Sequence, residues 1–115
     1  MIDPASNSPR ELLPGKNLAH VASIEGEFVD LAHQRSLGIF TDCDDLGLFS
    51  AAKFVLPDGF EFWIYKYQGM PNGSVEVFFE SQLQIWEARL SDVLNFLGIS
   101  SGSLTWKNAA YLKTP

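Results

Sequence analysis

The sequence predicts an α+β domain built around an antiparallel sheet. Three observations point there. Two proline-led turns ending in glycine sit between β-forming runs, and an amphipathic helical stripe follows them. Apolar residues make up 46% of the 115-residue chain, enough to bury a core without metal or disulfide support.

Residues 1–16 hold Pro4, Pro9, Pro14 and Gly15 without sustained periodicity, so a mobile N-terminal arm is expected there. Residues 17–115 are expected to form the single domain. Leu18 to Ile24 and Glu27 to Ala32 are short apolar-rich runs around Glu25-Gly26. A hairpin of two N-terminal strands is the expectation. A helix over the second run is the alternative, because Phe28, Leu31 and Ala32 have helical spacing. Leu37 to Thr41 reads as a further short strand, and Asp42 to Gly47 as a polar loop.

The strongest pattern lies between Ser50 and Glu80. Leu56-Pro57-Asp58-Gly59-Phe60 and Met70-Pro71-Asn72-Gly73-Ser74 share one turn grammar. Proline presets φ, Asp or Asn tolerates the bridge region, and glycine closes the turn in the left-handed region. Strands are therefore predicted near 51–56, 60–68 and 74–80, as a three-stranded meander. If the turns are tight, Phe54 faces Phe62, Ala52 faces Ile64, and Lys66 faces Phe78. Phe54, Phe62, Ile64 and Phe78 then share one face, while Trp63, Tyr65, Tyr67, Val77 and Phe79 share the other. Both faces are mostly apolar, so something must cover each.

One cover is visible downstream. Trp86, Leu90, Val93, Leu94 and Leu97 form an apolar stripe, so one C-terminal helix near 82–97 is expected to pack on one face. Ser81 and Gln84 suit a capping box at its start, and Gly98 suits its end. The alternative has Ser91-Asp92 capping a shorter helix, with Gln84 to Arg89 as a fourth strand. Leu104 to Lys107 reads as a last strand. For the second face, the expected cover is the pair of N-terminal strands around Val21 and Phe28, or else another copy of the chain.

Net charge is −6, from 14 acids against 8 bases. Such a chain repels phosphate backbones, and its lysines are scattered in sequence, so no nucleic-acid partner is expected. No apolar run is long enough to span a bilayer, so no membrane partner is expected either. Cys43 is the lone cysteine and the first residues lack a signal-like apolar region, which together suggest the cytoplasm.

Sequence motifs for chemistry are weak. Asp42-Cys43-Asp44-Asp45-Leu46-Gly47 begins like a calcium loop, but Lys53 stands where the bidentate Glu belongs, which excludes an EF-hand. Neither a metal nor another cofactor is expected. His20 and His33 lack any partner motif, and no nucleophile elbow, zinc motif or phosphate loop is present. No catalytic residue is assigned. The interleaving of Trp63, Tyr65 and Tyr67 with Lys66 has the look of a base-stacking platform, but the strand reads better as a buried central one. The expected function is a non-enzymatic protein interaction or regulatory module, as a monomer or homodimer. Trp63, Tyr65, Tyr67, Asp42, Asp44 and Asp45 are its candidate contact residues. A small-molecule-binding domain with an aromatic cavity and an enzyme of unknown class are the alternatives.

Overall fold

A computed structural model describes residues 12–14, 18–70, 73–80 and 84–114. The chain is α+β, with a six-stranded antiparallel sheet and two helices. In chain order the elements are β1 (Ala19–Glu25), α1 (Phe28–Arg35), β2 (Gly38–Asp44), β3 (Gly47–Val55), β4 (Glu61–Tyr67) and β5 (Ser74–Phe79). There follow β6 (Ile85–Trp86), α2 (Glu87–Leu97), β7 (Leu104–Lys107) and β8 (Leu112–Lys113). The sheet order is β2-β3-β4-β5-β1-β7, while β6 and β8 form a separate parallel pair.

The meander stands as the turn grammar predicts. Gly59 and Gly73 have φ of 93° and 85°, and Ala52 opposes Ile64 while Phe54 opposes Phe62. The register of β5 differs from the tight-turn expectation. Phe78 lies opposite Trp63, not Lys66, and Glu76 lies opposite Tyr65. The connection is longer than the expected turn: β4 ends at Tyr67 and β5 starts at Ser74, so the strands are not joined directly across Met70 and Ser74. An odd-numbered slip turns every side chain over. Val75, Val77 and Phe79 therefore face the helices, and Phe78 joins Trp63 and Tyr65 on the other side.

The run Glu27 to Ala32 supplies a helix, not a second hairpin strand. Topology explains this. β1 lies between β5 and β7, so both its edges are taken, and β2 starts at the far end of the sheet. The chain must cross about 19 Å, four strand spacings; the eight-residue helix spans about 12 Å of it and the extended residues on either side the rest, while Phe28, Leu31 and Ala32 are buried on the sheet.

The downstream helix starts at Glu87, so Ile85 and Trp86 are extended and Trp86 is 55% exposed, not buried as its place in the stripe suggests. The reason is the pairing of Ile85-Trp86 with Leu112-Lys113, whose Lys113 Nζ stands 4.9 Å from the Trp86 ring centre. The proposed cap residue Ser81 lies outside the described residues. The rest of the stripe holds: Leu90, Val93, Leu94 and Leu97 are buried against the sheet. Gly98, with φ 73°, ends the helix by donating its N–H to the Leu94 and Asn95 carbonyls. Arg89 ties α2 to the β3–β4 turn by a 2.6 Å bond to Asp58 and by lying 4.6 Å over the Phe60 ring. That guanidinium holds the Asp58 carboxyl below its usual range, helped by the Phe60 N–H.

Candidate functional site

The N-terminal strand does not fold over the second face. β1 is part of the sheet, and Val21 and Phe28 belong to the helix-side core. Two residues before β1 reach the second face: Leu18 packs on it, and Leu12, expected in a mobile arm, is buried there with its carbonyl accepting a 2.7 Å hydrogen bond from Trp63 Nε1, while residues 1–11 of that arm lie outside the described residues.

Strand alternation places one aromatic ring from each of the six strands on this face, side by side. Phe40 of β2 meets Phe49 of β3 edge-on at 6.2 Å, and Phe49 stacks on Tyr65 of β4 at 4.5 Å. Tyr65 touches Phe78 of β5 at 4.6 Å, Phe78 stacks on His20 of β1 at 4.9 Å, and His20 meets Trp106 of β7 at 4.7 Å. A continuous band therefore crosses the whole sheet. Ala51, opposite Tyr65, carries only a methyl group and leaves room for the Tyr65 ring to lean on Phe49.

The band has one buried acid. Glu76 is 8% exposed and sits between Tyr65 on one neighbouring strand and Ser23 on the other. A carboxylate placed there must be hydrogen-bonded. Its Oε1 accepts from His20 Nε2 at 3.0 Å and from Ser23 Oγ. His20 and Ser23 are three residues apart, which in a regular strand puts them on opposite faces. A β-bulge between His20 and Ala22 brings both to the Glu76 side, while Val21 and Ala22 both enter the helix-side core.

Beside this acid lies a half-open cavity of about 290 Å³. His20, Tyr67, Glu76 and Phe78 line it, and Leu46 and Met70, 78% and 49% exposed, stand at its rim. Leu46 comes from the β2–β3 turn and Met70 from the β4–β5 connection. The β2–β3 hairpin is longer than the sequence suggests, because Asp42 and Asp44 belong to β2 and only Asp45-Leu46 turn the corner. Asp44 shapes that corner: its Oδ1 accepts the Leu46 N–H, and its Oδ2 accepts the Tyr67 hydroxyl at 2.8 Å. Burial, with the Asp44 and Asp42 charges behind it, pushes the Tyr65 hydroxyl up to about 12. Burial and the Asp44 bond raise Tyr67 further, so both are hydrogen-bond donors at neutral pH.

The residues singled out in sequence thus divide. Tyr67 and Asp44 meet at the cavity, and Tyr65 is the centre of the band. Trp63 is wholly buried under Leu12, with Lys53 Nζ 5.4 Å from its ring centre. Asp42 caps the Cys43 N–H, and Asp45 is exposed at the turn. His20, Ser23, Glu76, Phe78 and Trp106 were not singled out as a group in sequence. The bulge and the β5 register that unite them leave no local signal.

A Ser, a His and a Glu in contact invite comparison with a nucleophile triad. The wiring differs: in a triad the serine bonds the histidine, whereas here Ser23 and His20 both bond Glu76. His33 is exposed on α1, and Cys43 is exposed on β2. Among the described residues no three His, Cys, Asp or Glu side chains converge as metal ligands, and no helix is long and apolar enough to cross a membrane. No protein-family model matches the chain, and no curated protein or solved structure matches it either.

Proposed function

We propose that the protein is a non-enzymatic interaction module that takes one side chain of a protein partner into the cavity beside Glu76. The observation that carries this reading is the combination of a side-chain-sized cavity with exposed apolar residues around its mouth. At about 290 Å³ the cavity is at the small end for a whole ligand, yet ample for a single residue. Leu46 and Met70 extend apolar contact beyond it, as the surroundings of a buried anchor do. The acidic balance and the stacked rings argue against nucleic acid. Phe49, Tyr65, Phe78 and His20 spend their faces on one another, so few are left for bases. A lone exposed thiol suits a reducing compartment such as the cytoplasm.

Selection from a displayed random-peptide library tests this. The expected outcome is a set of peptides that bind the wild-type chain and lose at least about tenfold in affinity to Phe78→Ala, the size of a hot-spot contact. Recovery only of peptides indifferent to Phe78 and Met70 would overturn the reading. A small-molecule site is the second reading, and the aromatic wall with one buried acid favours it. Ligand-detected screening that finds a compound filling the cavity, with no peptide competing for it, would establish that reading instead.

A further inference from the structure

Resting on the cavity as the anchor site, we infer that the anchor is a primary alkylammonium, the side chain of a lysine on the partner. Three features of the cavity select it. The first is charge. Glu76 is the carboxylate that lines the cavity, and the chain around it carries a net charge of −6. An acidic, partly desolvated recess concentrates cations, and its field is less screened than that of a surface acid.

The second is the distribution of hydrogen bonds. Oε1 of Glu76 takes both the His20 and the Ser23 bonds, while Oε2 has no partner among the described residues and is not sealed from solvent. Asp44, the next acid, already serves Leu46 and Tyr67 with its two oxygens. The site therefore offers one open carboxylate oxygen. A guanidinium seeks two oxygens in a planar fork, whereas an ammonium is a point charge that one oxygen serves well. Lysine fits where arginine does not.

The third is the wall. Met70, Leu46 and Phe78 line the cavity together with Glu76, an apolar lining suited to a four-carbon stem. A quaternary head would depend on a cage of open ring faces, but His20 and Tyr65 both contact Phe78, which leaves Tyr67 alone and no cage. The hydrogen-bonding head is preferred over the methylated one.

The test is an NMR titration of the full chain at pH 8 and low salt with three probes that share a linear alkyl stem and differ in the head group. These are n-butylammonium, n-butyltrimethylammonium and uncharged 1-pentanol. The expected result is saturable shifts at His20, Glu76 and Phe78 with n-butylammonium, half-complete at a concentration at least about tenfold below that for 1-pentanol. Glu76→Gln keeps an acceptor for His20 and Ser23 and should abolish the preference. If that variant does not fold, the comparison of probes on the wild-type chain still decides. Equal response to n-butylammonium and 1-pentanol overturns the charge assignment, and a stronger response to the trimethyl probe overturns the primary head. Either result leaves the interaction module standing if the selected peptides depend on Phe78. Binding of n-butylammonium without any such peptide would keep the amine site and move it to a small-molecule role.

Discussion

The two faces of the sheet are built from different materials. The helix side is held by Val21, Ile24, Phe54, Phe62, Ile64, Val77 and Phe79 against Phe28, Leu31, Leu90, Val93 and Leu97, and its buried members carry no ionisable group. Phe54 and Phe62 stack at 4.9 Å, and the Phe96 ring meets both edge-on. The opposite side carries Tyr65, Tyr67, His20, Glu76 and Lys53 among its rings, and its cover comes from Leu12 and Leu18. A purely apolar interior gives stability without chemical preference. A face with donors, an acid and a half-open recess surrenders some of that stability and gains the means to recognise something. Fold and function are therefore expected to separate by face.

The largest test of that separation is Leu90→Ala in α2. It should lower unfolding free energy by about 2–5 kcal/mol in urea titration while leaving peptide affinity unchanged in the folded protein. A loss of binding in proportion to stability would show that the faces are not independent. On the other side, Trp63→Phe removes the donor to the Leu12 carbonyl and should destabilise by about 1–3 kcal/mol. Limited proteolysis should then cut near Leu12 faster, whereas Leu90→Ala should not change that site selectively.

Gly59→Ala touches neither face, because a Cβ there meets nothing within 4 Å. The strain of φ 93° alone should lower stability by about 1 kcal/mol with no effect on binding. The smallest effect at neutral pH comes from the tyrosines. Their folded pKa is raised, so the folded state holds protons that the unfolded state has released. Stability from this source is complete below about pH 10 and falls as pH rises through about 12 for Tyr65. Tyr65→Phe should flatten the alkaline decline seen in pH-dependent melting, and an unchanged decline would place its cause elsewhere.

Much of the helix side was legible because it follows local rules. The β-forming runs Ala51 to Leu56 and Phe60 to Tyr67, the turn glycines and the Leu90-Val93-Leu94-Leu97 stripe each carry their meaning within a few residues. What escaped reading was non-local. The identity of Phe28–Arg35 as a helix depends on β1 being enclosed by β5 and β7. The side on which Phe78 falls depends on the length of the connection from Tyr67 to Ser74, which sets the register of β5 on β4. Tyr65 and Tyr67 could be marked as candidates from sequence, since they interleave with Lys66 and fall on a second apolar face that needs a cover. Their partners could not, because the Glu76 cluster unites residues 20, 23 and 76 through a bulge that has no glycine or proline to announce it.

The central claim is that partner binding belongs to the aromatic face and enters at the cavity beside Glu76. Chemical-shift mapping of one selected peptide on the isotopically labelled chain tests it most directly. The strongest perturbations are expected at His20, Leu46, Tyr67, Met70, Glu76 and Phe78, with little change at Val29, Arg35 or Ala88 on the helices. A footprint confined to the helices, or running along the outer edge of β2 from Gly38 to Asp44, would contradict it.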